Sequence, residues 1–214
     1  INFILKILKM CGFILSIGSV KKEEIISAVN KIKYRGPDET NFYFDESYDL
    51  SMGHNRLSIL DDKYGVQPYF SKDKSLILLF NGEIYNFKEL RIDLEEKGVK
   101  FESKNSDTEV LLNGYKYYEK DFFPKIDGPF ACAIVDKKKN RIILGRDKFG
   151  EKPLFFTIQK NTLIVSSELK VFSSFKNLKT TIDLKSLQKY FIFSFVPSPQ
   201  TLYENIFKVE NSYL

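Results

Sequence analysis

Histidine is nearly missing from this 214-residue chain; His54 is the only one. A mechanism that needs two histidines of this chain is thereby excluded. Cysteine is scarce as well. Cys11 and Cys132 cannot build a disulfide framework, and no CxxC or HxxxH spacing suggests zinc. A reducing cytoplasm is the expected setting. Arginine is scarce in a different way. Of 33 basic residues only Arg35, Arg56, Arg91, Arg141 and Arg146 are arginine, which leaves 28 lysines. In so lysine-rich a chain, arginine marks places where a planar bidentate donor is needed. Three of the five sit in "YRGPD", "HNRLSILD" and "GRDKFG". No run of five like charges exists, and 33 basic residues face 28 acidic ones for a net +5. That balance gives no footprint for nucleic acid. The most apolar stretch, "INFILKILKMCGFILSIG", is broken by Lys6 and Lys9. It therefore falls short of the roughly 18 apolar residues of a membrane span. Lysines on both sides of "CGFILSIG" also mismatch a signal peptide. No membrane partner is expected.

What is present is an ordinary globular composition, 43% hydrophobic, long enough for one sizeable core or two small ones. "CGFILSI" reads as a buried strand. In "KKEEIISAVNKIKYRG", Ile25, Ile26, Val29 and Ile32 fall at helical spacing, and Gly36-Pro37 end the pattern. "NFYF" and "LSMGHNRLSIL" are strand-like. "SLILLFNGEIYNF" holds two apolar runs joined by Asn81-Gly82, which predicts a hairpin. "FKELRIDLEEKG" is an amphipathic helix closed by Gly98. "SDTEVLLNGYKYYEK" opens with Ser106 three residues before Glu109, a capping-box pattern. "PFACAIVD", "RIILGRD", "PLFFTIQ" and "TLIVSSE" predict four short strands, "DLKSLQKYFIF" a late helix, and "VPSPQTLYENIFKVENSYL" an extended linker. Strands, helices, then strands, without βαβ alternation, predict an α+β fold with antiparallel sheets.

Several residues carry two readings each. Cys11 directly follows Met10; it is a buried structural thiol or, with Met10 removed, a nucleophile beside its own α-amine. That amine has a pKa near 7.7–8 and works as a base without histidine. Asn81-Gly82 is a type I′ turn or an oxyanion hole built from a side-chain amide and a backbone N–H. Asp107 is a first-turn helix acid or a carboxylate for a ligand ammonium group. Arg56 is a surface ion-pair partner or a fork for a ligand carboxylate. His54 shares a strand face with Arg56 and reads as structural. "RGPD" is a turn by composition, and "KFGEKP" is too weak a glycine loop for a phosphate cradle.

Together these stretches resemble the glutamine-hydrolysing domain of asparagine synthetases, of the class II, N-terminal-nucleophile amidotransferases. The matching pieces run in the family's order: "MCG", "RGPD", "GHNRLSILD", "QP", "FNGEIYN", "SDTEV", "DGPFACAIVD", "GRDKFGEKPLF" and "SSELK". They span nearly all of the chain after Met10. "RLSILD" after "RGPD" resembles the asparagine-synthetase branch rather than relatives that aminate sugars. The resemblance implies a four-layer αββα sandwich. It implies that Cys11 attacks the amide carbon of L-glutamine, with its α-amine moving the proton. Asn81 and the Gly82 N–H would hold the oxyanion, Arg56 the α-carboxylate, and Asp107 with Glu83 the α-ammonium. The backbone of Leu57, Ser58, Ile59 and Leu60 would line the pocket.

The sequence also departs from that family. Nine residues precede Met10, so residues 1–10 are expected to be an extension or propeptide-like segment before an amidotransferase domain at 11–194. Residues 195–214 would begin a linker toward a synthetase domain. The "SGGxDS" loop with which that domain would use ATP and Mg²⁺ does not occur in these 214 residues. The chain is expected to be partial, with no cofactor of its own, a synthetase domain in cis as partner, and room for a homodimer. The alternatives are a glutaminase serving another acceptor, such as a sugar or cell-surface precursor, and a non-catalytic module in which Cys11 stays internal.

Overall fold

The computed structural model describes residues 10–58 and 65–211. In chain order the elements are β1 (Gly12–Ile17), α1 (Lys22–Lys31), β2 (Glu39–Asp45), β3 (Leu50–Arg56), β4 (Tyr69–Phe70), β5 (Leu76–Gly82), α2 (Phe87–Glu96) and α3 (Asp107–Tyr118). They continue with β6 (Phe130–Asp136), β7 (Arg141–Arg146), β8 (Phe155–Gln159), β9 (Thr162–Ser166), α4 (Leu184–Phe193) and β10 (Phe207–Lys208). The strands form two antiparallel sheets, one in the order β10-β8-β9-β1-β3-β2 and one in the order β4-β5-β6-β7.

Three apolar clusters show how the layers stack. Phe13, Leu15, Met52, Ile77, Leu79, Ala131 and Ala133 fill the space between the sheets. Ile14, Ile25, Val29, Ile164 and Phe172 join the outer face of the first sheet to α1 and to the 3₁₀ turn at Leu169–Ser174. Leu78, Phe80, Leu94, Val110, Leu111, Cys132 and Ile134 join the outer face of the second sheet to α2 and α3. Three interfaces make four layers, αββα. The central strands are therefore covered on both faces. That is why "CGFILSI", "SLILLF" and "PFACAIVD" lack polar alternation, while period two still decides which interface each residue enters.

Several local expectations hold. Ser106 Oγ accepts the Glu109 N–H at 3.2 Å and starts α3. The Glu109 carboxylate itself accepts from the N–H groups of Glu102 and Ser103, both at 2.8 Å, and so ties the preceding loop to the helix. Ile26, expected on the inner face of α1, is 40% exposed, and Ala28 is buried there instead.

The hairpin expected at Asn81-Gly82 does not form. β5 pairs with β6 through the register Asn81↔Ala131 and Gly82↔Phe130, and with β4 on its other side. After Gly82 the chain turns away to α2, with Glu83 N–H donating to Pro129 O. A Cβ on Gly82 would lie 2.2 Å from that same oxygen. The glycine serves close strand packing, not a two-residue turn. The stretch read as an extended linker contributes β10, which pairs with β8, and buries Thr201, Ile206 and Val209.

Candidate active site

Alternation along β1 places Phe13 and Leu15 between the sheets, and Cys11 continues that series at the strand's open end. Leu79 sets the same face of β5, so Asn81 also points into the gap. At this end one cavity is lined by Cys11, Arg56, Leu57, Gly65, Gln67, Phe80, Gly82, Glu83, Asp107 and Thr108. Six of the ten residues singled out in the sequence thus meet on one wall: Cys11, Arg56, Leu57, Gly82, Glu83 and Asp107. Asn81 lies between two wall residues, and its buried Nδ2 has no hydrogen-bond partner among the described residues. Ser58 is turned aside, its N–H donating to Asp38 Oδ2 at 2.9 Å. Ile59 and Leu60 lie outside the described residues.

The thiol of Cys11 meets one residue twice. It donates to Leu57 O at 3.7 Å and accepts the Leu57 N–H at 3.4 Å. Burial raises its pKa above the ordinary value, while the Leu57 bond and the charges of Arg56 and Arg35 pull the other way. Cys132 contrasts with it: fully buried on β6, its thiol is pushed up to about 12 by desolvation. Only Cys11 has both access and a cationic setting.

Arg35 holds the Cys11 backbone. Its Nε donates to Cys11 O at 2.9 Å, and its Nη1 pairs with Glu168 at 2.7 Å. "YRGPD" is therefore more than the turn its composition predicts, and Glu168 explains "SSELK". Arg56 is 5% exposed, with Nη1 at 3.5 Å from Glu39. Asp107, which also lines the cavity, accepts the Ile84 N–H at Oδ2 at 3.2 Å. Desolvation, with the Glu83 charge as a lesser cause, pushes the Asp107 carboxyl up to about 6. The cavity thus sets a buried guanidinium and a pair of acids around a thiol. This pattern complements a zwitterionic amino acid with a reactive side chain.

His54 is not among the residues that line the cavity. It is buried between the sheets, with Nε2 at 3.4 Å from Phe80 O, and desolvation lowers its pKa to about 3. "GRDKFGEKP" closes on itself rather than cradling phosphate. Asp147 accepts the N–H groups of Phe149, Glu151 and Lys152, and Arg146 donates to Lys152 O and Val209 O. Among the described residues, no group of three or more His, Cys, Asp or Glu could hold a metal, and no helix is long and apolar enough to cross a membrane.

Residues 10–214 match the family described as "Glutamine amidotransferase domain". The chain belongs to that family. As an amidotransferase domain it is 39% identical over 208 residues to asparagine synthetase [glutamine-hydrolyzing] 1 of Bacillus subtilis, covering 94% of this chain and 32% of that protein. It is 39% identical over 168 residues to asparagine synthetase [glutamine-hydrolyzing] 2 of the same organism, covering 75% and 22%. The chain thus spans about a third or less of these relatives. Among solved structures, a glutamine phosphoribosylpyrophosphate amidotransferase from B. subtilis superposes with TM-score 0.63 over 77% of this chain and 43% of that one, at 22% identity. At that identity the likeness speaks for the fold, which agrees with the sandwich described above.

Gln67, Phe80, Thr108 and Gly65 also line the cavity, and none was singled out from the sequence. Gln67 had a signal in the fragment "QP". Phe80 opens the fragment "FNGEIYN" but is otherwise one of several apolar residues in its strand.

Proposed function

We propose that this domain releases ammonia from L-glutamine through a thioester on Cys11. The observation that carries the reading is the convergence of Cys11, Arg56, Glu83 and Asp107 on one cavity beside the unpartnered amide of Asn81. Arg56 takes the α-carboxylate as a charge-assisted fork, and Asp107 with Glu83 takes the α-ammonium. Removal of the chain through Met10 exposes the Cys11 α-amine, which accepts the thiol proton. Sγ attacks the side-chain amide carbon, and the tetrahedral oxyanion is held by Asn81 Nδ2 and the Gly82 N–H. The proton passes to the leaving nitrogen, ammonia departs, and a thioester remains. Water then attacks the thioester and releases glutamate.

The ammonia acceptor belongs to a further domain. The names of the relatives, asparagine synthetase [glutamine-hydrolyzing], support asparagine formation there; aspartate activated with ATP and Mg²⁺ in a cytoplasmic full-length enzyme is what the family resemblance implies. Among the described residues no group of three or more His, Cys, Asp or Glu could hold the metal, and no step here uses ATP or Mg²⁺. The domain begins at Cys11; the burial of Ile206 and Val209 supports an end beyond residue 194.

The test compares two proteins, one processed to an N-terminal Cys11 and one that retains residues 1–10. The processed form is expected to release glutamate and ammonia and to be labelled once, at Cys11, by an electrophilic glutamine analogue. The retained form is expected to be inactive, because an amide nitrogen cannot accept the thiol proton. Equal activity of both, with intact masses verified, would remove the α-amine from the mechanism. Labelling at Cys132 would remove Cys11.

A further inference from the structure

On its β4 side, β5 loses its partner strand after Leu78, three residues before Asn81. The β4–β5 register pairs Phe70 with Ile77 and Tyr69 with Leu78. Carried on, it sets Pro68 opposite Leu79 and Gln67 opposite Phe80. Proline has no N–H to give, and β4 stops at Tyr69. Both polar groups of Phe80 are nevertheless taken. Its N–H donates to the side-chain Oε1 of Gln67 at 2.6 Å, and its carbonyl faces His54 Nε2 at 3.4 Å. A carbonyl only accepts, so Nε2 carries the proton, which leaves Nδ1 a bare acceptor with no partner among the described residues. Gln67 is 4% exposed and His54 is 1% exposed. Two buried side chains, one from the approach to β4 and one from the opposite sheet, therefore fasten the peptide that leads into Asn81.

We propose that Gln67 and His54 are positioning residues that act through Phe80 to aim the Asn81 amide at the oxyanion. The inference rests on the oxyanion role assigned to Asn81 above. Aiming matters because a donor is useful only where charge develops, and a shift of about 1 Å can cost on the order of 100-fold in rate. Gln67 also lines the cavity, so direct contact with glutamine is the competing explanation.

The experiment is a double-mutant cycle on the processed enzyme, with Gln67→Leu, Asn81→Ala and the pair. Circular dichroism and thermal melts check folding. We expect Gln67→Leu to lower kcat by about 10- to 100-fold, with KM for glutamine and the calorimetric affinity for glutamate unchanged. The pair should lose no more kcat than Asn81→Ala alone. Gln67→Glu, which keeps an acceptor oxygen at the same reach, should restore most of kcat. Losses that multiply, an unchanged kcat in Gln67→Leu, or a parallel fall in glutamate affinity would each overturn the positioning role. An unchanged kcat in Asn81→Ala would instead sink the oxyanion reading on which it rests. Should Gln67→Leu fail to fold, His54→Phe, which deletes the other bond, is carried through the same cycle.

Discussion

Asp107 couples the site's function to its stability. Its carboxyl titrates near 6, against an ordinary 3.8, because it is buried and faces Glu83. In the proposed binding mode, glutamine's ammonium needs the ionised form. kcat/KM for glutamine is therefore expected to fall in two steps as pH drops, first as the Cys11 α-amine takes a proton near 7.7–8, then more steeply below about 6 as Asp107 does, in a pH–rate profile. Asp107→Asn should remove the steeper step near 6, leaving that of the α-amine, together with most glutamine binding; a second step that survives the substitution would assign it to another group. The sign for stability is the reverse. A carboxyl raised in the folded state binds its proton more tightly there, so stability drains away as pH rises from about 4 to about 6. Asp107→Asn is expected to stabilise the protein at pH 7 by on the order of 1–3 kcal/mol, and by little at pH 4, in urea titrations at both pH values. Arg56 offers the complementary test. Arg56→Lys keeps the charge but loses the planar fork, and one charge-assisted hydrogen bond is worth about 1.5–3 kcal/mol. KM for glutamine should rise about 10- to 100-fold. An unchanged KM would take Arg56 out of the pocket.

The elements explain why some of this was readable in the sequence and some was not. Helices α1, α2 and α3 announce themselves through period, caps and glycine stops, because local backbone chemistry decides them. Cys11, Arg56 and Asp107 are legible because a thiol, a rare arginine and a helix-starting acid are chemically unlike their neighbours. The Asn81-Gly82 hairpin failed because a two-residue turn signal is local, whereas Gly82 is needed for a long-range approach to Pro129 O that only the folded sheet reveals. β10 was missed for a similar reason: two residues pair with β8, and no periodicity survives in so short a strand. Gly114 in α3 tests the long-range argument. In the helix alone Ala would be favoured over Gly by about 1 kcal/mol. In the fold, its Cβ would lie 2.2 Å from the Phe122 ring, which is buried in the cluster beneath α3. Gly114→Ala is therefore expected to destabilise by about 1–3 kcal/mol, the usual range for overpacking, in denaturant melts. A gain in stability would show that the turn carrying Phe122 yields freely.

At the scale of the whole molecule, α4 stands apart from the other helices. Leu184, Phe191, Ile192, Phe193 and the following Phe195 are 71%, 78%, 72%, 54% and 60% exposed. Among its residues only Ser186 is fully buried. A surface helix normally turns its apolar side to the core; here that side is turned outward. Covering a Leu, Ile or Phe side chain contributes roughly 1.5–3 kcal/mol, so the five together are worth on the order of 5–10 kcal/mol before association costs. Freely diffusing partners lose an estimated 4–15 kcal/mol on association, which offsets most of that gain. A tethered partner escapes most of the cost, because linkage sets a local concentration in the millimolar range. The arithmetic thus favours a cover supplied in cis by the further domain proposed above, with only weak self-association of the domain alone. The domain alone is expected to form concentration-dependent dimers or larger species in sedimentation velocity. Phe191→Ser with Phe195→Ser should shift it to monomer without lowering its Tm or its glutaminase kcat, since neither residue lines the cavity. In the full-length enzyme the same pair should lower Tm, as the proposed cis cover requires. A full-length Tm that does not move would show that α4 is uncovered in the whole protein, and the cis arrangement would have to use another surface.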